Sequence, residues 1–142
     1  MKLAITFKID VQIMQWIGLF EKVTLAKAKD CFIFQDKICF VVLKGHLHKA
    51  LGPNKKNITK LENLTKRRIK IIEYNDKVLS FIPNVLAPLK VVEIKQEDAI
   101  VTITGPDQKT KGLMIGAKAC NLRGYEQIVQ KYFPDIEELK VI

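Results

Sequence analysis

Cysteine and histidine are scarce in this 142-residue chain, with three of the first and two of the second. Cys31, Cys39 and Cys120 are an odd set without C-x-x-C spacing, which excludes a disulfide framework and a zinc ribbon and predicts reduced, partly buried thiols. His46 and His48 stand two apart, and on a helix such residues do not share a face, so no common metal is expected. Long apolar runs are missing too. The stretch from Ile38 to Leu43 falls far short of the roughly 20 residues that a membrane span needs. Lys8 and Asp10 interrupt the apolar start Met1-Lys2-Leu3-Ala4-Ile5 before it reaches the length of a signal core, so the chain reads as mature, cytoplasmic sequence with no membrane partner. Gly52-Pro53-Asn54-Lys55-Lys56 lacks the G-x-x-x-x-G-K-[ST] pattern that cradles a nucleoside triphosphate. Carboxylates are scattered, and Glu97-Asp98 and Glu137-Glu138 lie beside predicted turns, where solvated acids are ordinary. Nothing here points to an enzyme, a cofactor, a metal site or a small-molecule substrate.

What the chain does have is positive charge, and it is concentrated. The formal net charge is +9. Between Lys44 and Lys70 lie nine basic residues (44, 49, 55, 56, 60, 66, 67, 68 and 70) against one acid, Glu62, whereas from Ile71 to the end nine basic residues meet ten acidic ones. A local basic segment in an otherwise balanced chain points to a polyanion docking on one face, where a general excess of charge would serve only solubility.

With 48% hydrophobic residues, the chain can bury one ordinary core or two small ones. Ile9, Ile13, Trp16, Ile17 and Phe20 recur at helical spacing and predict an amphipathic helix with Trp16 in the core. Cys31 to Phe34 and Lys37 to Leu43, rich in β-branched and aromatic residues, predict a hairpin turning at Gln35-Asp36. Gly52-Pro53 separates two short helices, one around Leu47 to Leu51 and one carrying Ile58, Leu61 and Leu64; a strand around Ile69 to Ile72 follows. A second cycle repeats the order. Val78 to Leu86 predict a helix in which Pro83 sets the first turn or a kink. Leu89 to Ile94 and Ala99 to Thr104 form a hairpin across Glu97-Asp98, Gly112 to Ile115 lead into Gly116, and a helix from Lys118 to Tyr132 precedes a strand over Glu138 to Ile142. The two cycles align at a separation of 64 positions, with Leu51-Gly52 answering to Ile115-Gly116 and Asn57-Ile58 to Asn121-Leu122. This length implies duplication of a whole small domain, divided here as residues 1–74 and 75–142.

A glycine that ends one helix and opens another is an ordinary helix stop. It is also the device by which a helix start approaches phosphate, because the freed amides attract anions and the missing side chain admits a nucleic-acid backbone. Here the device occurs twice. On this repeated loop, and on Asp30-Cys31, Phe40-Val41-Val42 before Lys44-Gly45, Ala50-Leu51-Gly52 followed by Asn57-Ile58, Ile71-Ile72-Glu73-Tyr74, the stretch from Phe81 to Val91, and Ile115-Gly116, the chain resembles the archaeal NusA-like transcription factors over nearly its whole length. The resemblance implies an α+β fold of two tandem type II KH domains, each a three-stranded mixed sheet packed against three helices, the first domain opening with the amphipathic helix. It also implies a G-x-x-G loop that clamps about four nucleotides of single-stranded RNA. The loop residues it marks are Lys49, Gly52, Pro53, Asn54, Lys55, Lys56, Asn57 and Lys60 in the first domain, and Gly116, Ala117, Lys118, Ala119, Asn121 and Arg123 in the second.

Both loops depart from the family pattern, since Lys55 and Ala119 stand where it has a second glycine, which predicts a lost or reshaped backbone approach. The lysines around the first loop offer side-chain charge in exchange, a salt-sensitive and sequence-blind contact. Lys66, Arg67 and Arg68 read equally well as RNA contacts or as cations drawn to a helix C-terminus. Two functions follow from the resemblance. One is contact with nascent single-stranded RNA in transcription elongation and termination, near RNA polymerase. The other is a protein-docking module of polymerase or ribosome whose degenerate loops retain little RNA affinity.

Overall fold

The computed structural model describes Ile5 and residues 7–142. Residues 1–4 of the opening stretch, where mature sequence was expected, lie outside these described residues. Contacts divide the described chain into two units, Ile5–Asn75 and Asp76–Ile142.

In the amino-terminal unit, helix α1 (Val11–Thr24) starts where the Asp10 carboxylate accepts a hydrogen bond from the Ile13 amide at 2.9 Å, satisfying one of the donors a helix start leaves open. Strands β1 (Ala28–Phe34) and β2 (Lys37–Val42) pair antiparallel across Gln35 and Asp36, which both take positive φ, as the turn best matched to strand twist demands. Helices α2 (Leu47–Leu51) and α3 (Lys56–Thr65) then carry the chain back, so that β3 (Arg68–Glu73) joins β2 in parallel. Phe20 stacks on Phe40 at 4.2 Å, within a core that also holds Ile13, Cys31, Ile38, Val42, Ala50, Leu61 and Ile69. Burying such side chains contributes about 1.5–3 kcal/mol each.

The carboxy-terminal unit repeats the plan with α4 (Val78–Leu86), β4 (Glu93–Glu97), β5 (Ile100–Thr104), α5 (Gln108–Ile115), α6 (Cys120–Tyr132) and β6 (Glu138–Val141). Its sheet has the same order, β4 antiparallel to β5 and β5 parallel to β6. Each unit is therefore a three-stranded mixed sheet with three helices in the order α-β-β-α-α-β, the tandem type II KH-like arrangement. One polar detail repeats as well. Glu62 of α3 accepts from the Ile69 amide at 3.1 Å, and Glu126 of α6 from the Leu139 amide at 2.9 Å, so a carboxylate at the same repeat position ties each last helix to its closing strand.

Several local expectations need correction. Ile9 precedes the α1 cap and is 66% exposed, so it is not part of the buried stripe. Trp16 is half-buried at the edge of the core, with the Arg67 guanidinium 5.6 Å from its ring centroid. Pro83 is the sixth residue of α4, past the first turn, and the helix runs on to Leu86. Strand β4 starts at Glu93 and not at Leu89, because the Leu89 amide is spent on the Leu86 carbonyl and pairing begins only where Val92 donates to Thr104. The hairpin then turns at Asp98-Ala99, with Glu97 still in the strand. Helix α5 is twice as long as the stretch from Gly112 to Ile115 anticipated, since Asp107 caps it by accepting from the Thr110 amide at 2.7 Å.

Candidate nucleic-acid interface

The turn between α2 and α3 and the turn between α5 and α6 are the same object built from different residues. Gly52 has φ 73 and ψ 171, Gly116 φ 73 and ψ 175. This is a region that residues with a side chain do not ordinarily enter. One turn of 3-10 helix follows, Pro53–Lys55 in the first loop and Ala117–Ala119 in the second. Inside it Asn54 and Lys118 share φ 54, while Lys55 and Ala119 have φ 56 and 59. The positions where a second glycine was missed thus hold the left-handed conformation that glycine favours, at a cost of about 1–2 kcal/mol per side-chain-bearing residue. The two turns share one backbone. Lys55 donates to the Gly52 carbonyl and Ala119 to the Gly116 carbonyl, both at 3.1 Å.

The chemistry on this shared backbone differs. In the first loop Pro53, Asn54, Lys55 and Lys56 are all exposed, as are Lys49 on α2 and Lys60 on α3. At the equivalent positions of the second loop stand Leu113, Ala119, Cys120 and Gly124, none of them charged, and Leu113 is 50% exposed. Lys118 is exposed beside Ala117, and Arg123 is exposed as well, although its Nη1 is engaged by the buried Glu126 at 2.8 Å from the carboxylate. The positive face therefore belongs to the amino-terminal loop, which gathers Lys49, Lys55, Lys56 and Lys60 around Gly52. Lys66 is the left-handed cap of α3, Arg67 covers Trp16 and Arg68 opens β3, at the opposite end of α3 from the glycine.

Asn57 and Asn121 are half-buried; each side chain turns back to donate from Nδ2, Asn57 to the Lys49 carbonyl at 3.1 Å and Asn121 to the Leu113 carbonyl at 2.9 Å. Sequence reading missed Glu73, whose Oε2 accepts from the amides of Gly45 (2.9 Å) and Leu47 (3.4 Å) and so holds the start of α2. A contact across 28 positions leaves no local signal.

The marked displacements of proton affinity lie away from the loops. Burial pushes the Cys31 thiol up to about 12 and the Cys39 thiol up to about 11. On β3, burial pushes the Lys70 ammonium down to about 8, partly offset by Cys39 beside it. Backbone and side-chain hydrogen bonds from Thr110 lower Asp107. All three cysteines are free. Among the described residues no cluster of three or more His, Cys, Asp or Glu is placed to hold a metal ion, and no helix is long and apolar enough to cross a membrane.

No protein-family model matches the chain. Among curated proteins, the probable transcription termination protein NusA of Halococcus morrhuae is 29% identical over 130 residues, covering 90% of this chain and 93% of that protein. The protein of the same name from Halobacterium salinarum is 27% identical over 138 residues (96% and 99%), and that of Methanocaldococcus jannaschii 27% over 129 residues (89% and 70%). The crystal structure of APE1850 superposes with a TM-score of 0.69 at 20% identity, covering 94% of this chain and all of that one, which shows a shared fold.

Proposed function

We propose that this chain, NusA-like over nearly its whole length, binds single-stranded RNA through the Gly52–Lys56 loop and does so during transcription elongation and termination, without catalysing a reaction. In this reading residues 1–74 and 75–142 are the two KH domains. The observation that carries it is a preformed glycine turn at a helix start surrounded by four exposed lysines, a combination suited to a phosphodiester backbone. The names of the archaeal relatives supply the process. RNA polymerase is the natural second partner, because RNA held as it emerges has to be held near the enzyme that makes it.

Labelled single-stranded RNA titrated by fluorescence anisotropy across a salt series tests this. If Lys49, Lys55, Lys56 and Lys60 each neutralise one phosphate, log K falls with log salt at a slope of about −3, from about −0.7 per single-strand contact. The Lys55→Glu/Lys56→Glu variant then loses most of the binding and at least about 1.4 of that slope. Equal binding by both proteins at low salt removes this loop from the account.

A second reading is favoured by the uncharged residues of the carboxy-terminal loop: there the same backbone serves protein docking, on polymerase or ribosome. A protein partner recovered after nuclease treatment, from a preparation that retained no RNA, would put docking first.

A further inference from the structure

The two loops share almost no side chains between their glycine and the first turn of the following helix, Pro-Asn-Lys-Lys in one and Ala-Lys-Ala-Cys in the other, and yet their backbones coincide to within a few degrees. Neither run contains a glycine at its two left-handed positions. A backbone this costly persists only where its surroundings over-determine it, and the surroundings common to both loops are few. Gly52 and Gly116 are one. Asn57 and Asn121, five residues on in each case, are the other.

The carboxamide of each asparagine fills the space that its glycine leaves open. A Cβ on Gly52 would lie 2.8 Å from Asn57 Nδ2, and one on Gly116 would lie 2.7 Å from Asn121 Cγ. From that position Nδ2 reaches the carbonyl three residues before the glycine, Lys49 in one loop and Leu113 in the other. The side chain therefore spans the loop from the head of one helix to the tail of the preceding one, at a point where helix-end carbonyls lack partners of their own.

We infer that Asn57 and Asn121 are positioning residues that lock the two loops into their RNA-competent backbone in place of the missing second glycine, and that they do not themselves touch RNA. The inference rests on the RNA-binding reading above for its consequence, but not for its geometry. A loop held in its bound shape loses less freedom on binding, so the brace raises affinity without adding a phosphate contact.

The test combines two measurements on Asn57→Ala in the full chain. In RNA titrations affinity falls about tenfold, equivalent to about 1.4 kcal/mol, with the salt slope unchanged. In hydrogen exchange without RNA, the amides of residues 54–57 exchange about tenfold faster while β1, β2 and β3 keep their protection. Asn121→Ala gives the same local acceleration in the second loop. Native affinity together with native loop exchange overturns the inference. A slope that falls by about 0.7 also overturns the positioning role, because it marks a lost phosphate contact. If the wild type itself fails to bind RNA, the RNA-binding reading falls and the exchange measurement alone decides whether the brace holds the loop. Should Asn57→Ala unfold its unit, the near-isosteric Asn57→Asp, which fills the glycine's space but cannot donate to Lys49, is measured by exchange instead. Faster loop exchange there supports the brace, and wild-type exchange overturns it.

Discussion

Replacing Ala119 by glycine stabilises the carboxy-terminal unit. Ala119 sits at φ 59 and ψ 24, a left-handed conformation that costs a residue with a Cβ about 1–2 kcal/mol. Glycine removes that cost but gives the unfolded chain more freedom, which returns about 0.5–1 kcal/mol. The difference is a gain of about 0.5–1 kcal/mol, or about 3–6 °C in melting temperature for a unit of this size. Calorimetry or urea unfolding of the full chain reads it. The companion Gly116→Ala has the opposite sign and a larger size: its φ of 73 and ψ of 175 are closed to alanine, and the new methyl would meet Asn121 at 2.7 Å, so a loss above about 2 kcal/mol is expected. An unchanged or lowered melting temperature for Ala119→Gly would refute the argument that the missing glycine is a conformational burden. Lys55→Gly separates this effect from charge, since it brings the same gain in stability and removes about 0.7 from the salt slope of RNA binding.

Three further outcomes are expected. Lys70 binds its proton less tightly folded, at about 8, than unfolded, so the unfolded chain holds more protons and stability rises by about 1 kcal/mol from pH 8 to 9. Above about pH 9 the buried thiols of Cys31 and Cys39, held protonated to about 12 and 11 in the fold, act in the opposite direction; urea unfolding shows the Lys70 share as the part lost in Lys70→Met. Glu126→Gln, which removes the buried charge facing Arg123 and leaves only a neutral oxygen to accept from the Leu139 amide, lowers stability by about 1–2 kcal/mol in the same assay. Iodoacetamide under native conditions modifies Cys120 and spares Cys31 and Cys39, because only Cys120 is exposed; saturating RNA leaves its rate unchanged if the first loop does the binding, as mass spectrometry of the peptide shows.

The order of elements was legible because β1, β2 and β5 are short runs of β-branched or aromatic residues with buried positions in each, and because the hairpin turn at Gln35-Asp36 is set by polar residues between two of them. The repeat was legible through Gly52 and Gly116. Helix α5 was largely hidden: of its residues only Met114 is buried, so no apolar period marks it, although Asp107 with Thr110 is a capping signal that a closer reading finds. The pairing of Arg123 with Glu126 is an i, i+3 relation open to sequence reasoning, and it engages one edge of a guanidinium that stays exposed. The shape of the loops was not legible. Lys55 and Ala119 give no sign of the left-handed conformation both adopt, and the carboxamide five residues past the glycine, bonded back to a carbonyl, is a contact that only the structure shows.

The closing strand of each sheet comes from the same contiguous stretch of chain as its two partners, and this bears on how the protein is made. Every strand of the first sheet has been synthesised once β3 is complete, with none contributed by the later unit. At about 5–20 residues per second the ribosome needs several seconds more to deliver the rest, while mixed α/β domains of this size fold well within that interval. The basic loop lies on the crossover that must be in place before β3 can pair. The lysine-ringed turn is thus framed by elements of the first unit alone.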